Sequence, residues 1–465
     1  MRFKNAFFTL MASILALGSS VGAYAEAFTI PAGATTYCAK NASPVNAWWP
    51  NNGNTTGNDS YSAAGLAVVN DKLWVLTMNG NYNDLSTYKL KILNSTTFAQ
   101  EGEASLSGVD NTTANQLFPL YDLTRMGNAV ISINRPYHRY CPLKIYCWES
   151  TGAPTLLFND NISNYVDDSS TPGLNPFQGL GAIGTPDDGK IYIAAQRNLS
   201  TIINRVIVLT IKNKKTTAVQ EVTLSQELAY TNINIEPMED GSFWIKQFDS
   251  TYGVHFDANG NKIEELSGNG IGAVYGIGQR FFTFKGRKLA LNMNCSSGST
   301  APKLSLIDYT DGVANAKNII TDAQPTLSTN DLTGFGFTFC DYDIKSADRN
   351  LVLYGIDPDG GIVRVEYKDD RRPAIVTDFT AKARWDGTTH KIDVIWKAAD
   401  KATSYRLYDC TNSPETKIYE GNGTSGTFIL ATGLGKAHKF RIIAVNSEGT
   451  SPESTYASTY DAGFG

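Results

Sequence analysis

Six times along the chain a short, mostly apolar run ends in an amide or a carboxylate. The copies are Trp74-Val-Leu-Thr-Met-Asn79, Ala129-Val-Ile-Ser-Ile-Asn134, Ile191-Tyr-Ile-Ala-Ala-Gln196, Trp244-Ile-Lys-Gln-Phe-Asp249, Leu289-Ala-Leu-Asn-Met-Asn294 and Val352-Leu-Tyr-Gly-Ile-Asp357. Their end positions are 55, 62, 53, 45 and 63 residues apart, room for four short strands with their loops. Most copies follow a turn, such as Asn70-Asp71, Gly127-Asn128, Asp187-Asp188-Gly189, Glu239-Asp240-Gly241 or Lys285-Gly286. Before the turn stands another β-like run, Gly65–Val69 or Phe335–Phe339 for example. After a polar loop comes a third, as in Tyr88–Ile92, Leu143–Tyr146, Arg205–Leu209, Gly253–Phe256, Lys303–Ile307 and Ile362–Glu366. Long stretches of helical period are missing, so the signature is all-β.

Antiparallel sheets repeated at this spacing resemble the blades of a β-propeller, where radial repetition protects the sheet edges. Six copies imply six blades, and the segment around 28–63 is placed to supply a strand that closes the ring. A pair of β-sandwiches or a right-handed β-helix competes, but β-helix repeats are much shorter. With 42% hydrophobic and 18% charged residues and 41 Gly against 17 Pro, the 465 residues are ordinary globular material.

After Lys368-Asp-Asp-Arg-Arg-Pro373 the pattern changes. Ile392-Asp-Val-Ile-Trp396 resembles the early strand of a fibronectin type III domain with its core Trp, and Ala402–Tyr408 its third strand. Lys439–Asn446, with Ser-Glu-Gly449-Thr-Ser451, resembles the late strand and its exit turn. One departure is His438, which stands where that family has the corner tyrosine; an imidazole is able to hydrogen-bond similarly, but the rigidity of the corner does not follow from it. The division is therefore a leader over 1–25, a propeller over 26–370 and a fibronectin type III-like domain over 371–465. This layout resembles uncharacterised secreted proteins of the Bacteroidetes type, a resemblance of architecture that transfers no catalytic residue.

Residues 1–25 carry only Arg2 and Lys4, then an apolar run to Leu17 and the small-x-small sequence Ala23-Tyr24-Ala25, the pattern of a secretory signal cleaved before Glu26. A transmembrane anchor is the rival, but the run is shorter than the roughly 20 residues a spanning helix needs. Cleavage takes the net charge from −5 to −7. A mildly acidic chain without a Lys/Arg cluster lacks the field that nucleic acids or anionic membranes exploit, so neither is expected as a partner, nor is membrane insertion of the mature chain. The expectation is a monomer, periplasmic or extracellular at the cell surface. Cys38, Cys141, Cys147, Cys295, Cys340 and Cys410 are spread thinly. In one extended strand Cys141 and Cys147 would lie about 20 Å apart at 3.3 Å per residue, too far to bond. Mostly free thiols with one bridge at most are expected. The four histidines show no zinc-like spacing with them, and no metal or other cofactor is called for.

In propellers the loop after the second strand commonly opens on the functional face. Asn79, Asn134, Gln196, Asp249, Asn294 and Asp357 would then form a ring of amides and carboxylates suited to sugar hydroxyls. The plainer alternative is that they cap their own loops as Asx-turns. The loop Asn134-Arg135-Pro-Tyr137-His138-Arg139-Tyr140-Cys141 concentrates cations and aromatic rings, with Tyr82 and Arg197 on neighbouring loops. Such groups can stack on a sugar or pair with a carboxylate. Trp48-Trp49 reads as packing of the closing segment, and Asp257–Glu264 as a hairpin turn that lacks a calcium loop's length. The paired carboxylates Asp167-Asp168, Asp187-Asp188 and Glu264-Glu265 are adjacent in sequence, not facing across a bond as glycoside hydrolysis requires. No Gly-x-Ser-x-Gly elbow, His-Glu-x-x-His or phosphate loop is present. The sequence thus points to an exported, non-catalytic binding protein whose propeller face takes a glycan or a cell-surface partner. A propeller glycoside hydrolase or lyase, and a protein-binding adhesion or structural role, are the alternatives.

Overall fold

The computed structural model describes residues 30, 34–39, 42–49, 63–79, 83–111, 116–136, 141–161, 177–196, 202–229, 233–247, 251–267, 278–294, 303–320, 338–345, 350–358, 361–368, 371–429, 437–451, 454 and 456–460. The leader at 1–25 lies outside them, as do Tyr82, Tyr137, His138, Arg197, Asp249 and Cys295. The chain divides into two compact units, 1–368 and 369–465.

The described residues of the first unit form six antiparallel four-stranded sheets. Blade 1 comprises Ala63–Val69, Lys72–Met78, Tyr88–Asn94 and Gln100–Ala104, and blade 2 Gln116–Met126, Ala129–Pro136, Pro142–Trp148 and Thr155–Asn161. Blade 3 comprises Phe177–Gly184, Asp188–Gln196, Ile202–Lys212 and Lys215–Ala229, and blade 4 Ile233–Pro237, Phe243–Gln247, Thr251–Phe256 and Lys262–Ser267. Blade 5 runs through Gly278–Phe284, Arg287–Asn294, Lys303–Asp308 and Lys317–Asn318. Blade 6 takes Phe339–Lys345, Asn350–Asp357 and Gly361–Lys368 from the end of the unit, and its fourth strand, Thr35–Ala39, from the beginning. That strand pairs antiparallel with the third, Thr35 opposite Val365 and Ala39 opposite Gly361, and so fastens the ring.

The first strands of successive blades pack on one another in a closed circuit around the centre. Converging strands leave little room for side chains, and glycine solves this locally. A Cβ on Gly65 would stand 2.7 Å from the Leu123 backbone nitrogen, and one on Gly181 would overlap the Ile235 carbonyl oxygen. Between blades the sheets bury apolar faces. One layer, between blades 2 and 3, includes Ile131, Ile145, Leu180, Ile193 and Leu209; another, between blades 5 and 6, includes Phe284, Leu291, Leu306, Leu353 and Val365. Each such side chain contributes about 1.5–3 kcal/mol by leaving water, so the blade-to-blade layers carry the fold.

The first strand of blade 6 is described as Phe339–Lys345, while most of the Phe335–Phe339 run lies outside the described residues. Trp48 closes a short helix, Val45–Trp48; both indoles are buried, as packing of the closing segment requires, and Trp48 Nε1 donates to the Phe98 carbonyl at 2.9 Å. Five cysteines are described, all as free thiols, with Cys141 just before the strand Pro142–Trp148 and Cys147 near its far end. Among the described residues no helix is long and apolar enough to cross a membrane.

The second unit is a sandwich of two antiparallel sheets. Thr380–Trp385, His390–Ile395 and Ser425–Ile429 form one; Thr416–Gly421, Ser404–Asp409, Ala437–Asn446 and Gly449–Thr450 form the other, with Ala457–Tyr460 also on Ala437–Asn446. Trp396 fills the core against Phe379, Tyr405 and Tyr419 at 5.5–6.4 Å between ring centroids. His438 is buried, and among the described residues neither ring nitrogen finds a hydrogen-bond partner. The ring lies 6.3 Å from Phe440, stacked on it.

Candidate functional site

Between their first and second strands blades 1 to 5 make short turns, and sequence dictates several of them. Asn70 and Asp71 both adopt positive φ, 51° and 61°, the two-residue hairpin geometry that Asn and Asp tolerate. Glu239-Asp240-Gly241 closes with the Asp240 carboxylate accepting the Ser242 N–H at 2.9 Å and Gly241 at φ 87°. At this end of the ring a cavity of about 890 Å³ opens, lined by residues from all six blades.

Its floor is one cation. Arg280, on the first strand of blade 5, reaches across the centre: Nη1 to Glu236 at 3.3 Å and Asn234 at 3.4 Å, Nη2 to the Leu123 carbonyl at 3.4 Å, Nε to Asp341 at 3.8 Å. The guanidinium thereby ties blades 2, 4 and 6 to blade 5. Its fork of donors suits this, because no single carboxylate could satisfy it in a buried place. Asp341 is fixed in turn by the Val68 N–H at 2.7 Å, which adds blade 1. Burial dominates the titration of the acids around Arg280. It pushes Glu236 up to about 7 against the pull of Arg280 and Arg125, and Asp122 up to about 6 against Arg280. Arg125 lies 4.1 Å above the Tyr342 ring, donates to the Tyr342 carbonyl at 2.7 Å, and Phe282 stacks on Tyr342 at 3.9 Å.

One wall is aromatic. Trp244 is stacked between His255 at 4.4 Å and Phe281 at 4.1 Å, with Tyr309 edge-on at 5.6 Å. His255 Nε2 lies 2.9 Å from the Ser242 hydroxyl and Nδ1 3.3 Å from Glu264. Burial against this wall holds the imidazole below its ordinary range, and Glu264 opposes the shift without reversing it. The rim is mostly acidic: Asp71, Glu239, Asp240 and Asp343, with Lys288 the contrary charge. Among the described residues no group of three or more metal-ligating side chains is assembled.

The described residues among those expected to bind ligand, Asn79, Asn134, Arg135, Gln196, Asn294 and Asp357, do not line this cavity; they lie at or near the ends of second strands, away from the turns that do. Asn79 is exposed beside Trp48 and Lys89 in a shallow depression of about 340 Å³. Asn134 is buried and serves its own hairpin, its Nδ2 donating to the Pro142 carbonyl at 2.9 Å and its Oδ1 accepting the Lys144 N–H at 2.7 Å. Arg135 is buried with its guanidinium 4.9 Å above the Tyr121 ring. Asp357 is buried at the end of its strand, while Gln196 and Asn294 are placed by their backbones only, as last residues of their strands. Tyr82, Tyr137, His138, Arg197 and Asp249 lie outside the described residues.

Sequence reasoning treated the cavity-lining turns as punctuation. The signal available was charge inside the first strands: Asp122, Arg125, Glu236, Arg280 and Asp341 interrupt runs that otherwise read as core. Buried charge requires a partner, and here the partners come from other blades.

No protein-family model matches the chain, and no curated protein matches it. Among solved structures it is similar to a DUF4623 family protein from Bacteroides eggerthii, at 14% identity over 74% of this chain and 77% of that one, with a TM-score of 0.52. It also aligns with the GH43 protein BlXynB from Bacillus licheniformis at 10% identity, over 70% of this chain and 84% of that one, with a TM-score of 0.34. A stretch covering 19% of the chain aligns with 91% of a Fn3-like protein from Clostridium thermocellum at 27% identity and a TM-score of 0.16. The chain shares its fold with a Bacteroides protein. At 14% identity that likeness concerns fold alone.

Proposed function

We propose that the protein is exported and binds a glycan in the cavity at the turn end of the propeller. The observation that carries this reading is the cavity itself: about 890 Å³, reached by all six blades and containing a guanidinium whose donors are already engaged by Glu236 and Asp341. Pockets of this size hold small organic ligands. Rim carboxylates accept hydrogen bonds and cannot donate them when ionised, so the complementary ligand is rich in hydroxyl donors. An anionic ligand would meet Asp71, Glu239, Asp240 and Asp343; a neutral saccharide meets acceptors for its hydroxyls and the Lys288 ammonium as a donor. The leader-like N-terminus supports export by its composition.

The test is a glycan array probed with the intact mature chain, with calcium and with chelator, the eluted ligands being checked for cleavage. Selective capture of uncleaved saccharides is the expected result. Cleaved saccharide would replace the reading by a glycosidase or lyase, and an empty array with capture by a cell-surface protein would replace it by adhesion.

A further inference from the structure

On the aromatic wall, three side chains from successive stretches of blade 4 fall in line. Ser242 stands immediately before the second strand, His255 in the third and Glu264 in the fourth. The Ser242 hydroxyl is 2.9 Å from His255 Nε2, and His255 Nδ1 is 3.3 Å from the Glu264 carboxylate. All three line the cavity. We propose that Ser242, His255 and Glu264 form a nucleophile, general base and positioning carboxylate that hydrolyse a small carboxylic ester held in this cavity.

The geometry meets the requirements of acyl transfer in order. A serine hydroxyl is inert unless a base within hydrogen-bond reach takes its proton. Glu264 can accept a hydrogen bond but not donate one, so its place beside Nδ1 assigns the ring hydrogen to that nitrogen and leaves the Nε2 lone pair facing Ser242. The imidazole must also be neutral at rest. Burial against Trp244 favours that form, and of the charged groups facing the ring, Lys288 favours it too while Glu264 and Asp240 oppose it. Trp244, stacked 6° from parallel at 4.4 Å, fixes the plane of the ring.

The reaction balances without a co-reactant other than water. Ser242 Oγ attacks the ester carbonyl as its proton passes to Nε2. The tetrahedral adduct collapses, the C–O bond to the alcohol breaks, and the alcohol leaves with the proton from Nε2. Water then attacks the acyl-serine, gives a proton to Nε2, and releases the carboxylic acid as Ser242 recovers that proton. The oxyanion formed in each half needs a cation or N–H donors. Lys288, which lines the same cavity and carries no ion pair among the described residues, is the group available. Asp240 tempers the arrangement: its Oδ1 also accepts the Ser242 hydroxyl at 2.6 Å, so the proton must leave that bond before attack. The inference does not depend on the ligand being a glycan.

The experiment uses the intact mature chain with a fluorophosphonate probe, followed by peptide mapping, and with p-nitrophenyl acetate. Expected is one phosphonylated residue, Ser242, with labelling and ester hydrolysis both reduced at least about 100-fold in His255→Gln, the scale of a lost general base. Glu264→Gln should keep Ser242 as the labelled site, slow it, and displace the midpoint of its pH profile, which a merely structural carboxylate would not do. Absence of a Ser242 adduct in the wild-type chain, or labelling that persists at full rate in His255→Gln, overturns the proposal. Because the wild-type adduct is mapped directly, the result does not rest on any variant folding.

Discussion

The centre of the propeller turns on how one buried cation is answered. Removing one partner of such a pair leaves the other uncompensated, at a cost of about 3–5 kcal/mol, so Arg280→Met should lower the propeller's unfolding free energy by that amount in denaturant titration. Glu236 makes the complementary prediction in pH. The folded protein holds its proton up to about 7, whereas an ordinary glutamate lets go near 4.5. The folded state therefore binds the extra proton between those values, and this group's contribution to stability declines as pH rises through that window. Glu236→Gln stays neutral throughout, so its stability relative to wild type should rise steadily from about pH 5 to about pH 8. A flat difference would mean that Glu236 is ionised across the window. At this scale the sequence was legible in part. Asn134 could be read as a loop cap, and is one, but Arg280 could not be assigned because its partners are 44 to 157 residues away.

At the scale of elements, backbone demands appear where strands converge. Gly181 has no space for a methyl group beside the Ile235 carbonyl, and Gly181→Ala should lower the thermal midpoint through about 1–3 kcal/mol of overpacking, read by calorimetry. In the sandwich, His438 carries two buried nitrogens without partners among the described residues, a cost comparable to lost hydrogen bonds. His438→Phe should thus raise the stability of the C-terminal unit by about 1 kcal/mol, and a loss instead would show that the ring is hydrogen-bonded in solution. The strands themselves were legible because alternation and apolar runs are local signals. The burial of Trp48 and Trp49 was legible too, but not the short helix that ends at Trp48, because an apolar run of only two residues carries no period.

At the scale of the molecule, six sheets and one N-terminal strand make a closed ring, and the repeat in the sequence announced both. Position along the blade was another matter. Amides at strand ends look like a binding face in sequence, yet the large described cavity belongs to the turns between first and second strands, built from residues that are each unremarkable alone. The measurement that decides between the two sets of loops is titration calorimetry of an array-selected saccharide against the wild-type chain, Lys288→Ala at the cavity, and Tyr137→Ala in the segment that follows the second strand of blade 2. If the cavity is the site, Lys288→Ala weakens binding severalfold while Tyr137→Ala leaves it unchanged. The reverse pattern would contradict this account and return the site to the second-strand loops.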